Sequence, residues 1–328
     1  MEKFESTKID LKAYDELLQR YKRDLNRIRD KNKIERMNGL TNIKLFLSKE
    51  ENKAFLQKFY IQELMSCLGA LISDEFDKNR RLSIEILDFF SSNIQLNSED
   101  YKILPFLFER FKTYPVKEKD EELQSKLLNL IRKFLSLKPD EFEAYMPEVS
   151  SVIEHLLKEK NKAMKEECAN FVIHVSELLK KKIGKYFMPV IIELGKNLTH
   201  SNAKTREISA KALCSAGLTE KAGPFIAEVI KALKAKANDD KNQVRVEVYN
   251  CIKNWLSGLE YTYLKTYEAE FILILMNGLS DNLEEIRKLC YESLEYYGIN
   301  LKKLLIELKE DISGINEYAF DKQLEEMA

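Results

Sequence analysis

Apolar residues recur along this chain with a helical period. From Ile226 they fall at Ile226, Val229, Ile230 and Leu233, the i, i+3, i+4, i+7 spacing of one helix face. Tyr186 to Leu198 reads the same way, with Val190, Ile191 and Leu194. No run of four to eight residues alternates cleanly between apolar and polar, so no strand is predicted. Helices of about 14–20 residues alternate with short polar turns. Ser73–Asn79, Asn238–Asn242 and Ser280–Glu284 are examples of these turns.

The predicted helices come in pairs, and the pairs repeat. Arg287 serves as a marker, with Cys290 three residues on and Leu294 seven on. Arg245 (Val248, Ile252), Arg206 (Ser209, Leu213), Arg80 (Ser83, Leu87) and Lys165 (Cys168, Val172) fit the same frame. Glu121 and Arg36 complete the series, so the markers lie 44, 41, 44, 41, 39 and 42 residues apart. A period near 40 with two helices per unit is the pattern of a HEAT or armadillo solenoid. Asp74, Asp239 and Asp281 each precede a marker by six residues, where an Asp can cap the second helix. Pro105, Pro147, Pro189 and Pro224 fall in four consecutive first helices, where a proline starts or kinks the helix. No 34-residue TPR frame is visible, and a generic helical bundle does not account for the phasing.

The expected fold is therefore all-α, a right-handed HEAT-repeat (armadillo-like) solenoid of about seven helix pairs. The units lie near 9–47, 55–93, 100–137, 142–181, 185–216, 224–257 and 263–297. A C-terminal helix and acidic tail follow over 299–328. Nothing resembles a linker, so a single continuous array over 1–328 is expected.

Composition narrows this further. The chain has 328 residues, 45% of them hydrophobic, with only 10 Gly and 6 Pro. It can bury a large core, and it has too few turn residues for many short hairpins. Lys and Arg number 53 against 54 Asp and Glu, which gives no global footprint for nucleic acid or an anionic membrane. The N-terminus shows no signal-peptide run, and the longest apolar stretches are too short to span a bilayer. Cys67, Cys168, Cys214, Cys251 and Cys290 are an odd number without CxxC spacing, which points to reduced thiols in a cytosolic or nuclear protein.

Chemistry is sought and not found. No phosphate loop and no HExxH occur. His155, His174 and His200 lie on separate segments, and the first two read as packing histidines. Cys168 and Cys290 occupy core positions of their helices and read as small core residues rather than nucleophiles. Basic runs at Arg20–Arg36, Lys180–Lys185 and Lys231–Lys241 read as solvated helix faces. No cofactor and no metal are expected, and the chain is read as a non-enzyme.

The array offers surface instead. Second helices line one face of such a stack, and positions one, five and eight after each marker point away from the core. These give Glu207 and Lys211, Asn250 and Lys253, and Lys288, Glu292 and Glu295 as candidate partner contacts. Their mixed charge suits a protein partner better than a polyanion. It also argues against a HEAT-type DNA glycosylase, which needs a basic face.

The stretch Asn242–Leu301 carries the most distinctive residues. Trp255-Leu256 ends a helix and a Tyr-rich connection follows. A Leu-rich helix closes on Gly278-Leu279-Ser280-Asp281, Glu285-Ile286-Arg287 opens the last helix, and Tyr297-Gly298 ends it. This succession resembles the HEAT-repeat dynein axonemal assembly factor family. The resemblance implies a cytoplasmic scaffold that helps preassemble the dynein arms of motile cilia, with dynein chains, chaperones and other assembly factors as partners. It implies no nucleic acid, membrane or cofactor, and a monomer is expected. Family members are longer, and no family motif marks a binding residue. A general HEAT adaptor, like a transport receptor or phosphatase scaffold, is the other reading. Trp255 is expected to be a packing residue.

Overall fold

A computed structural model describes residues 11–49, 53–94, 98–137, 139–179, 186–218 and 223–303. Every regular element among them is helical. The chain divides into two compact units, Met1–Val190 and Ile191–Ala328.

The first unit holds four helix pairs. α1 (Leu11–Arg27) pairs with α2 (Lys33–Leu47). α3 (Lys53–Phe59) runs through a π turn at Tyr60–Leu64 into α4 (Met65–Ile72) and pairs with α5 (Asp77–Asn93). A 3-10 turn at Ser98–Ile103 leads into α6 (Leu104–Glu109), which pairs with α7 (Glu121–Leu137). α8 (Pro139–Phe142), a 3-10 turn and α9 (Met146–Lys158) pair with α10 (Lys162–Leu179). α11 (Met188–Asn197) begins at the end of the first unit and is followed in the second by α12 (Ala203–Gly217), and there α13 (Gly223–Lys236) pairs with α14 (Asn242–Gly258). Its last pair is α15 (Tyr261–Gly278) with α16, a helical run over 284–303. The HEAT-type pairing expected from the periodicity is thus present in both units.

The marker frame places the core. Ser83, Leu87, Cys168, Val172, Ser209, Leu213, Val248, Ile252 and Cys290 are all buried. Val244 completes the buried stripe of α14. Pro105, Pro147, Pro189 and Pro224 each sit at the second position of their first helix. A proline there starts the helix without kinking it, because that N–H needs no intrahelical acceptor.

The marker arginines do more than hold a register. Arg206 donates from Nε and Nη2 to the two carboxylate oxygens of Asp239, at 2.9 and 2.7 Å. Its Nη1 reaches back to the His200 carbonyl of its own turn at 2.9 Å. Arg245 repeats this with Asp281 at 2.7 and 2.9 Å, and with the Asp239 carbonyl. In the first unit Arg36 pairs the same way with Asp74, and Arg80 with Glu118. Each arginine therefore ties its own turn to the acidic turn of the next repeat with a bidentate, charge-assisted pair. The acids also accept from a backbone N–H two residues on: Phe76 for Asp74, Lys241 for Asp239, Leu283 for Asp281.

Two expectations shift in register. The third marker is Gln124 rather than Glu121: its side-chain amide donates to the Glu118 carbonyl six residues back, the bond the arginines make elsewhere. The acid of that turn is Glu118, which the Asp pattern does not reveal. The last helix does not end at Tyr297-Gly298, because α16 continues through Gly298 to the limit of the described residues at 303. Gly298 meets nothing within 4 Å, and no described glycine has a positive φ. It therefore cannot form the left-handed cap that a helix-ending glycine supplies. The expected C-terminal helix and acidic tail over 299–328 lie almost wholly outside the described residues, and the basic run 180–185 lies outside them.

The rungs set the acid response. Burial would raise the Asp239 carboxyl, but the bonds from Arg206 and the Lys241 amide outweigh it and hold its pKa down at about 2. The Arg245 hydrogen bond likewise holds Asp281 low, and Asp74 is lowered against its burial by Arg36 and the Phe76 amide. A carboxyl depressed on folding stabilises fully above its unfolded value of 3.8 and loses that contribution as pH falls through the folded value. Urea midpoints should hold from pH 7 to about 5 and fall between about 4 and 2. A midpoint that stays level through that window would refute the assignment.

Candidate protein-binding surface

The second helices of the second unit carry all seven candidate contact residues. α12 begins where the Asn202 side chain accepts from the Thr205 N–H at 3.1 Å, a side-chain cap on its first turn. α12 packs directly on α14. The contact is close because Gly217 lies against the Trp255 ring, which is fully buried. At the next step Gly278 lets α15 approach Cys290 and the Tyr249 ring.

On this framework Lys211, Lys253, Lys288, Glu292 and Glu295 are exposed, and Glu207 and Asn250 are half-buried. Glu207 pairs with Lys204 at 2.7 Å, and Lys288 with Glu292 at 3.8 Å along α16. Both are surface pairs between neighbouring turns and add little stability. The frame passes over Glu247, two residues after Arg245. Burial raises its pKa, Lys211 and Lys204 counter this, and Glu207 adds to it. Lys204, Glu207, Lys211 and Glu247 therefore form one electrostatic group across α12 and α14. A half-turn offset from the marker, read across adjacent second helices, is the sequence signal that would have found Glu247.

The histidines and thiols are held locally. His155 Nδ1 lies 2.7 Å from the Phe111 carbonyl, His174 Nε2 lies 2.9 Å from Ser136 Oγ, and His200 Nδ1 accepts from the Asn202 N–H. His200 thereby fills the turn position that Asp holds in neighbouring repeats. All five cysteines are free. Burial pushes the Cys168 and Cys251 thiols well up and Cys290 to about 12, so at neutral pH they are protonated core groups. Among the described residues no group of three or more His, Cys, Asp or Glu is placed to hold a metal ion. No described helix is long and apolar enough to cross a membrane.

Comparison with known proteins gives a consistent result. A family model described as "Dynein axonemal assembly factor 5-like, TPR repeats" matches residues 27–308. A curated relative, dynein axonemal assembly factor 5 of Xenopus laevis, is 23% identical over 291 residues, which cover 88% of this chain and 34% of the relative. The chain spans about a third of the length of that relative. Among solved structures, one engineered protein superposes with a TM-score of 0.57 at 15% identity, covering 88% of this chain and 71% of its own. A second engineered protein gives 0.52 at 16% identity, covering 71% and 96%. At such identities the structural likeness speaks for the fold alone. The family description says TPR, whereas the period near 40 and the Arg–acid rungs of this chain are of HEAT type.

Proposed function

The chain belongs to the dynein axonemal assembly factor 5-like family, and from that premise we propose that it is a non-enzymatic scaffold that assists assembly of the axonemal dynein arms of motile cilia in the cytoplasm. The observation that carries this reading is the family match, which runs from residue 27 to 308. Its proposed partners are axonemal dynein chains, with chaperones or co-assembly factors, engaged by a monomer. Large subunits that are only partly folded expose apolar surface and aggregate, so an extended docking face suits them. The proposed contact face is the second-helix layer with Glu207, Lys211, Asn250, Lys253, Lys288, Glu292 and Glu295. Alternating signs there favour one protein partner over another and disfavour polyanions.

Cells deleted for the gene should lose dynein arms while ordinary cytoplasmic transport continues. Re-expression of Lys211→Glu with Lys253→Glu should fail to restore the arms fully. Both side chains are exposed, and since Lys211 also offsets half-buried Glu247, the purified double variant should unfold within about 1 kcal/mol of wild type. Intact arms and normal beating in the deleted cells would overturn the assembly role in favour of a general adaptor. Full rescue by the double variant would overturn the contact face alone.

A further inference from the structure

The last helix pair of the second unit departs from the pair before it on one face. Tyr249 of α14 is 1% exposed because the next pair covers it: Gly278 of α15 lies against its ring, and Asn277 donates to its hydroxyl at 3.5 Å. The matching residue one repeat on, Tyr291 of α16, is 61% exposed. Ile230 and Ile252 are buried, whereas their counterparts Ile272 and Leu294 are only half-buried. Arg287 lies on the same face. Its Nη1 makes the usual return to the carbonyls of its own turn, Asp281 at 2.7 Å and Asn282 at 3.0 Å. Arg206 and Arg245 direct Nε and Nη2 to the acid of the next repeat. Among the described residues no carboxylate pairs with those two donors of Arg287. An apolar stripe and a charged fork are thus open together where α14 receives its neighbour.

We propose that residues 304–328 of this chain cover that face and that Asp321 pairs with Arg287. The other marker arginines find their acids 38, 38, 33 and 36 residues on. The same step from Arg287 reaches positions 320–325, which hold two acids, Asp321 and Glu325. The intervals of the second unit, 33 and 36, select Asp321. Chain length permits the contact. From Arg287 to residue 303 α16 rises about 24 Å, and a return from 304 to 321 spans about 27 Å even at helical rise. Asp321 can therefore come level with the guanidinium, where a carboxylate fits the fork with two parallel bonds. The segment also carries apolar groups for the open stripe. Leu304, Leu305, Leu308, Ile312 and Ile315 recur at helical spacing and can cover Tyr291, Leu294 and Ile272. The contact lies within the chain, so it does not depend on any client.

Hydrogen exchange on the full chain tests this, read by mass spectrometry on peptides that span Ile272 and Tyr291. Asp321→Ala should speed exchange there roughly fivefold or more, because a docked face opens more often once its charge-assisted bonds are lost. Peptides of α12 should keep their wild-type rates. In an Arg287→Met background the same change should add nothing, since the acid then has no fork to meet. A purely local effect of residue 321 would instead add equally in both backgrounds. Glu325→Ala should exchange like wild type, and wild-type protection should not change on dilution. Protection that falls with dilution would assign the face to a second copy and overturn the proposal. So would an Asp321→Ala chain that exchanges like wild type, an equal effect in the Arg287→Met background, or a Glu325→Ala effect as large as that of Asp321→Ala.

Discussion

Asp239→Ala should destabilise the second unit by about 3–5 kcal/mol, among the largest effects of any single change in the chain. Asp239 and Arg206 are both 7% exposed, and their paired oxygens and nitrogens lie 2.7–2.9 Å apart. Removing the acid leaves a buried guanidinium with its forward-facing donors largely unmet. It also frees the Lys241 N–H that Asp239 caps. Asp240, which reaches Arg206 Nη2 at 3.0 Å but is largely exposed, returns part of the loss and holds the cost toward the low end. Chemical denaturation of the variant measures it. A partner change separates the pair from its surroundings. Arg206→Met with Asp239→Leu removes both charges and should be less destabilised than the single acid deletion, because apolar groups can replace a buried pair without stranding a charge. If the double variant is the weaker of the two, the rung is not what stabilises the turn.

Trp255→Ala should cost about 3–5 kcal/mol as well, through a different mechanism. The ring is 0% exposed, stands edge-on to Phe271 at 5.9 Å, and donates from Nε1 to the Cys214 carbonyl at 3.0 Å. Alanine leaves a cavity between α12 and α14 and an unmatched carbonyl on α12. Gly217→Ala tests the same fit from the other side. A Cβ there would lie 2.4 Å from Trp255 Cζ2, so the added methyl should destabilise although it adds apolar area. Trp255 is the only tryptophan in the chain, so its removal silences intrinsic Trp fluorescence and circular dichroism must follow the unfolding. A neutral Gly217→Ala would show that the helices can slide apart and would lower the expected cost at Trp255.

Much of this fold was legible because the repeat writes the same demand several times. One arginine or one aspartate says little, but Arg206, Arg245 and Arg287 with Asp239 and Asp281 in constant phase define pair, turn and core stripe together. What stayed hidden was the forward bond from each arginine to the following repeat's acid. A local role for the acid, capping its own helix, already accounted for the spacing, and the partner lies 33–38 residues away in sequence. The third repeat misled because Glu118 and Gln124 fill the two positions with other residue types. Gly298 misled because a glycine in a helix interior and one at a helix end look alike until φ is known. Counting from the markers put Lys211, Lys253, Lys288, Glu292 and Glu295 on exposed positions but Glu207 and Asn250 on half-buried ones, and it did not find Glu247.

The two-way reach of the marker arginines has a genetic consequence. Where the marker is an arginine, as at Arg36, Arg80, Arg206 and Arg245, it reaches a carboxylate in the following repeat, so the two ends of a repeat that carries both groups are chemically complementary. Unequal crossing-over that inserts or removes one whole repeat joins a familiar arginine to a familiar acid and leaves no stranded charge. A deletion that cuts within a repeat leaves a guanidinium without its acid and pays the full cost of its burial. Related genes should therefore differ by in-frame steps of about 40 codons, with breakpoints in the turns, while partial-repeat indels are purged.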